Sequence, residues 1–183
     1  SGSIDIASAS TKGGSAVVLG ESVSVPGSID ASGASGGGEV FIGGDFQGSN
    51  PSLTNASSTL VSGTILADAL VDGDGGNVIL WSDGDTSFSG SISATGVGTG
   101  IGGFAEVSGK NNLHYRGVSV LDGPSGGGEL LLDPTNVTIS YSSFNTTLAA
   151  AGDTNGDSTL ASSEGSGDVT VSPAAITTLL NAG

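Results

Sequence analysis

The sequence lacks cysteine altogether, so it has neither a disulfide framework nor a thiolate metal site. Basic residues are almost as scarce, because three lysines and arginines face 18 acids and leave a formal net charge of −15. Such a surface repels the phosphates of nucleic acids and the head groups of anionic membranes. We therefore expect no nucleic-acid partner and no membrane insertion.

Long apolar runs and known catalytic motifs are also missing. No apolar stretch approaches the roughly 18 residues that a membrane-spanning helix needs. The chain contains no Gly-x-Ser-x-Gly motif with a usable histidine, no His-Glu-x-x-His motif and no P-loop. These absences leave hydrolysis and nucleotide chemistry without support, so we expect no catalytic residues and no enzyme.

Glycine is abundant, with 34 residues, and two sets of glycines recur with one common period. The spacing within each set is 24 to 27 residues, apart from one spacing of 36 or 38. The first set ends a Gly-Gly pair, at Gly14, Gly38, Gly76, Gly103 and Gly128. The second set opens a short apolar strand, at Gly2, Gly27, Gly63, Gly90 and Gly117. Two independent marks with the same period and the same exception indicate an internal repeat.

Short strands of three to six residues lie between these glycines, and no segment before residue 141 has a helical period. A repeat of about 25 residues with two or three such strands predicts an all-β, right-handed parallel β-helix of about six coils. The alternative, a β-sandwich joined by Asp-Gly hairpins, does not explain a constant period. The long spacing predicts an insertion of about eleven residues, placed as a loop near 46–59.

Equivalent residues of a solenoid stack on one another, so we expect an inward apolar ladder of Ile4, Ile29, Ile65, Ile92 and Val118.

The chain divides into regular coils over 1–140 and an irregular segment over 141–183 of the same solenoid. Within that segment, Ser172 as N-cap and Pro173 at the first helical position predict a short helix over 173–181. The sequence begins in mid-repeat, from which we expect a fragment of a longer protein.

Four glycine-rich blocks resemble the filamentous haemagglutinin family of haemagglutination-repeat adhesins. They are GGGEVFIGGDFQG (36–48), GDGGNVILWSDGDTSFSGSISATG (73–96), GGFAEVSGK (102–110) and GGGELLLDPTNVTIS (126–140). The resemblance implies a shaft segment of a large two-partner-secreted exoprotein, exposed on the surface of a Gram-negative bacterium. The Asn-Pro-Asn-Gly motif of the family's secretion domain is not found in this sequence.

The resemblance also implies partners and a place of action. The full-length protein would pass an outer-membrane transporter through a domain not contained in this sequence, and would act extracellularly. Its expected partners are host-cell, glycan or neighbouring-fibre surfaces, with roles in cell adhesion and biofilm formation.

Two groups of residues support an alternative function as a carbohydrate-binding or polysaccharide-degrading β-helix. His114, Tyr115 and Arg116 combine an imidazole, a phenol and a guanidinium, but strand alternation places Tyr115 on the opposite face from the other two. Trp81 would contact a sugar if its indole were exposed, whereas a lone tryptophan is more often a packed residue. We expect a structural role for both groups.

The only cofactor that the sequence suggests is calcium. A twelve-residue segment matches the calcium-binding loop of an EF-hand at five positions, although Ser158 replaces the usual glycine. The candidate ligands are Asp153, Asn155, Asp157, Thr159 and Glu164. The alternative is an acidic loop without a metal, because aspartate and asparagine are common in turns.

Overall fold

The computed structural model describes residues 2–133 and the backbone of residues 136–137 and 160–161. In this part of the chain the backbone winds through five coils, each containing three short strands. The predicted all-β parallel solenoid is therefore confirmed, with five described coils where the period predicts about six. The predicted helix over 173–181 lies outside the described residues.

The strands are numbered in chain order, three to a coil. From the first coil to the fifth they are β1 (Ser3–Asp5), β2 (Ser15–Val18), β3 (Ser22–Val25), β4 (Ser28–Asp30), β5 (Glu39–Ile42), β6 (Ser58–Val61), β7 (Thr64–Leu66), β8 (Asn77–Ser82), β9 (Asp85–Phe88), β10 (Ser91–Ser93), β11 (Phe104–Gly109), β12 (Asn112–Tyr115), β13 (Val118–Val120), β14 (Glu129–Leu131) and β15 (Asn136–Val137). A further strand, β16 (Leu160–Ala161), follows the fifth coil.

Strands at the same place in successive coils pair in parallel and form three sheets. Sheet I has the order β1-β4-β7-β10-β13, sheet II has the order β2-β5-β8-β11-β14, and sheet III has the order β3-β6-β9-β12-β15. At one edge of sheet III, β16 pairs with β15 in the antiparallel direction. Backbone hydrogen bonds therefore run from coil to coil, with neighbouring strands about 4.7–4.9 Å apart.

Both sets of glycines that mark the repeat occupy fixed places in the coil. Ser28 pairs with Ser3 and Thr64, so that Gly27 lies directly between Gly2 and Gly63. A Cβ atom on Gly63 would overlap the carbonyl oxygen of Gly27, and one on Gly27 would overlap that of Gly2. Glycine recurs at these corners because the backbone of the preceding coil takes the space of a side chain.

The inward ladder of isoleucines is confirmed for the members in the second, third and fourth coils, whereas Ile4 in the first coil shares their register but is 42% exposed. Ile4, Ile29, Ile65 and Ile92 are in register, and the last three are at most 1% exposed. The fifth assignment is wrong, because Ile92 pairs with Ser119 and Val118 is 56% exposed. The hydroxyl of Tyr115 donates to Ser119 Oγ at 2.9 Å, so polar side chains end the ladder in the fifth coil.

The strands of sheet III include three that the apolar pattern did not predict, namely β6, β9 and β12. Apart from Leu60, their outward residues are polar, and in β6 and β9 a threonine occupies the inward position next to the corner with sheet II. Thr59 and Thr86 are at most 2% exposed, and their hydroxyls donate to the carbonyls of Trp81 and Ser108, both at 2.7 Å. Each threonine thus satisfies a buried carbonyl of the next coil.

The insertion lies in the second coil, between the end of β5 at Ile42 and the start of β6 at Ser58. The predicted bounds of 46–59 are therefore shifted, because Ser58 and Thr59 belong to β6. The equivalent connections in the third and fourth coils contain only residues 83–84 and 110–111. We refer to residues 43–57 as the strap.

Candidate functional site

The strap folds back over the outer face of sheet II. Its single 3-10 turn, Phe46–Gly48, packs on β8. The ring of Phe46 lies 6.0 Å from that of Phe104, and the backbone N–H of Gln47 donates to Glu106 Oε2 at 3.0 Å. The strap therefore leaves the second coil, crosses the third and contacts the fourth.

Short polar side chains give the strap a defined shape. The carboxylate of Asp45 accepts hydrogen bonds from the backbone N–H of Phe46 at 2.7 Å and from Asn50 Nδ2 at 2.9 Å. Asn55 Nδ2 donates both to the carbonyl of Gly48, at 3.0 Å, and to Asp83 Oδ1, at 3.1 Å. These bonds order the strap internally and attach it to the end of β8.

The backbone conformation of Gln47 in the strap points its N–H group at sheet II. Gln47 has a φ of 53°, and within residues 2–133 it is the one residue other than glycine with a positive φ. The left-handed region is unfavourable for a residue with a Cβ, at about 1–2 kcal/mol. The conformation is held because the N–H of Gln47 donates to Glu106.

Trp81 lies beneath the strap and is only 6% exposed. Its indole Nε1 donates to Asp83 Oδ1 at 3.2 Å, and a Cβ on Gly44 or Gly48 would overlap the ring. The sugar-contact hypothesis needs an exposed indole, which Trp81 does not provide in this structure. The tryptophan instead anchors the strap, and the glycines of the strap let its backbone approach the ring.

Glu106 is the buried charged residue of this region. It projects from the outer face of β11, yet its side chain is fully buried under the strap. Its Oε1 has no hydrogen-bond partner among the described residues. Burial raises the pKa of Glu106, the N–H of Gln47 and the Ser108 hydroxyl counteract this, and the carboxylates of Asp133 and Asp45 add to the rise.

An apolar residue completes the covered surface. Ile79 lies on the outer face of β8, in register with Glu106, and is fully buried. Neither Ile79 nor Trp81 belongs to the apolar cluster inside the solenoid. The strap therefore creates a second, smaller buried region outside the sheet, made of Ile79, Trp81 and Glu106.

The three residues considered for lyase chemistry are not brought together. His114 and Arg116 are exposed, whereas Tyr115 is half-buried and its ring lies 5.2 Å from that of Phe88. Burial raises the pKa of the Tyr115 hydroxyl, and its bond to Ser119 partly counteracts the rise. The predicted alternation is confirmed, and it leaves the phenol facing away from the other two groups.

Two aspartates in the Asp-Gly-Asp-Gly segment of residues 72–75 use their carboxylates to join adjacent coils. Asp72 Oδ1 accepts from the backbone N–H of Thr99, and Asp74 Oδ1 accepts from that of Ile101, both at 2.8 Å. Within the part of the chain that the structure describes, no group of three or more acidic or histidine side chains is arranged to hold a metal ion. The predicted calcium ligands, from Asp153 to Glu164, lie outside it.

A groove of about 670 Å³ follows the corner between sheets I and II. Its floor is formed by the Gly-Gly pairs of three coils, which leave no side chains there. Phe104, Asp74 and Glu129 are among the residues that border it. The Gly-Gly pairs of three successive coils thus lie along one open groove.

The fold defines this part of the chain as a parallel β-solenoid. Comparison with models of known protein families gave no match, and comparison with curated protein sequences gave none either. No helix among the described residues is long and apolar enough to cross a bilayer.

Proposed function

We propose that this chain is a shaft segment of a large secreted bacterial surface fibre, with a structural and adhesive role in attachment to cells or surfaces. The observation that carries the proposal is the unbroken parallel register of five coils in all three sheets. Each coil contacts mainly its neighbours, so length grows with the number of coils. A solenoid of this kind is suited to hold a binding region at a distance from the cell.

The outer surface supports the same role. Outward positions of sheets I and III carry many short polar side chains, and some form ladders between coils. The hydroxyls of Ser22 and Ser58 lie 3.0 Å apart, and Asn112 Nδ2 donates to Asp85 Oδ1 at 2.8 Å. Together with the net charge of −15, such a surface favours solubility along the length of a fibre.

The resemblance to haemagglutination-repeat adhesins adds the setting of the proposal: secretion, the cell surface, and host-cell, glycan or fibre partners. The proposal assigns no catalytic activity to the chain and needs no cofactor.

An attachment assay under flow tests the spacer role. The chain is fused between a bacterial surface anchor and a binding domain of known ligand, and compared with a flexible Gly/Ser linker of the same residue number. A rigid spacer should hold the binding domain farther from the cell and increase attachment. Equal reach and equal attachment with the two linkers would contradict the spacer role.

Beads coated with the isolated chain test whether the segment is itself adhesive. Binding to epithelial cells or to abiotic surfaces above the level of uncoated beads is expected. Beads that do not bind would restrict the proposal to the spacer role.

A carbohydrate-binding module is the second candidate function, and the glycine-floored groove is the observation that favours it. Phe104 offers an aromatic ring beside the carboxylates of Asp74 and Glu129. A glycan array should then give a signal that Phe104→Ala removes. Degradation of an acidic polysaccharide that His114→Ala abolishes would instead support the lyase alternative.

A further inference from the structure

The strap contacts a titratable group, the carboxyl of Glu106. The strap reaches this carboxyl through the N–H of Gln47, at 3.0 Å from Oε2, while Oε1 has no partner within the described residues. The Glu106 side chain is fully buried although it lies on the outside of the sheet. Its burial therefore depends on the docked strap.

The charged groups around this carboxyl are of the same sign. Asp45 faces it from the strap, and Asp133 faces it from the segment after β14. Asp83 is exposed beside the strap, where it accepts hydrogen bonds from Trp81 and Asn55. An ionised Glu106 would thus be a buried charge beside two carboxylates, which the Gln47 N–H and the Ser108 hydroxyl compensate only in part.

We propose that the strap is a proton-dependent clamp, docked on β8 and β11 while Glu106 carries a proton and released as Glu106 ionises. Release uncovers Ile79, Trp81 and the Glu106 carboxyl together, because all three are buried by the same segment. The solenoid beneath keeps its register, since both strands that flank the strap pair with strands of the neighbouring coils.

The direction of the pH dependence follows from linkage. Docking raises the pKa of Glu106, mainly through burial, so the docked state binds the proton more tightly than the released state. Docking is therefore strongest below the ordinary carboxyl pKa and is lost as the pH rises through the raised value. Each unit by which docking raises this pKa changes the docking equilibrium about tenfold.

Trp81 is the chain's one tryptophan, so its fluorescence reports release directly. We would measure acrylamide quenching of the whole chain between about pH 4 and about pH 8, a range that covers the titration of a raised carboxyl. The expected result is weak quenching at the acidic end that rises with pH, while the far-ultraviolet circular dichroism stays constant. Quenching that does not change with pH would overturn the proposal.

Three variants test whether Glu106, rather than another acid, causes the rise in quenching. Glu106→Gln should keep quenching weak at every pH, and Asp133→Asn, which removes an exposed facing charge, should reduce the rise. Asp83→Asn controls for direct titration beside the indole and should leave the rise in place. A rise that persists in Glu106→Gln, or one that disappears only in Asp83→Asn, would overturn the clamp.

Discussion

The second and third coils of this solenoid join sheets II and III in different ways. In the third coil, β8 and β9 are separated by residues 83–84 alone, whereas in the second coil the strap of residues 43–57 separates β5 from β6. Nevertheless β5 pairs with β8, and β6 pairs with β9, without a shift in register. A corner can thus accept a long insertion, because the cost of closing a loop grows slowly with its length.

The inserted corner gives the second coil properties that the other coils do not share. The short corner of the third coil contributes only a turn, while the strap covers part of the outer face of sheet II and buries Trp81 and Glu106 there. The shared elements set the fold, and the inserted element sets the local chemistry.

The largest effect is expected from a change in the glycine column, which runs through both coils. Gly63→Val places a side chain against the carbonyl of Gly27, and a backbone atom of the neighbouring coil cannot move aside. We expect a loss in the free energy of unfolding of more than about 5 kcal/mol, measured by urea denaturation, because the overpacking is against backbone that cannot yield. Gly127→Val is the matched control, since a Cβ atom on Gly127 would meet nothing within 4 Å, and it should cost much less. Equal losses in the two variants would contradict the role of the glycine column.

The next effect concerns the inner ladder, which also runs through both coils. Ile65→Ala should cost about 2–5 kcal/mol, because Ile65 is fully buried between Ile29 and Ile92. Leu60→Ala is the control on the outer face, where Leu60 is 46% exposed, and it should change stability by about 0.5 kcal/mol or less. Thermal denaturation of both variants checks the difference, and a larger loss for Leu60→Ala would mean that the inside and outside of sheet III are misassigned.

A smaller effect is expected when the long corner is replaced by the short one. Exchanging residues 43–57 for the Asp-Gly turn of residues 83–84 should preserve the solenoid and expose Ile79 and Trp81. Each fully buried apolar side chain is worth about 1.5–3 kcal/mol, and the shorter loop recovers part of this loss. The measurements are circular dichroism for the fold and a red shift of tryptophan emission for exposure. A chain that no longer folds would show that the strap is part of the core.

The smallest effect is expected when one buried hydroxyl is removed from each of the two coils. Thr59→Val and Thr86→Val keep the side-chain volume similar but remove the donor to a carbonyl of the next coil. Each should lower the free energy of unfolding by about 1–3 kcal/mol, because a buried carbonyl loses its partner. Calorimetry should give similar values for both; a clearly larger loss for Thr59→Val would mean that the strap adds to the corner.

Periodicity made most of the fold predictable. The two glycine columns were predicted because the same steric constraint recurs in every coil, and the sequence records each recurrence. Val118 was misplaced because the apolar residue of its strand lies one position earlier than in the other coils. The apolar pattern therefore points to Val118 as the inward residue, whereas the strand register places Ser119 next to Ile92. Strands β6 and β9 were missed because their inward positions include Thr59 and Thr86, whose burial depends on carbonyls of the next coil.

The site under the strap could not be predicted in the same way. Glu106 occurs in an alternating strand, where an acid at an outward position is expected to face solvent. Its burial results from a contact with Gln47, which lies 59 residues earlier in the chain and in a segment without periodicity. A lone tryptophan is commonly a packed residue, as Trp81 is, but its covering by the strap is a non-local contact that the sequence does not reveal.

The path of the strap has a mechanical consequence for the solenoid. Backbone hydrogen bonds between coils run along the axis of the solenoid, so a pulling force along the axis loads one layer of bonds after another. The bond from Gln47 to Glu106 bridges the second and fourth coils and bypasses the third, and so it shares the load across two layers. We expect single-molecule force spectroscopy to show a higher rupture force for this group of coils than for the same chain with the strap exchanged for a short turn.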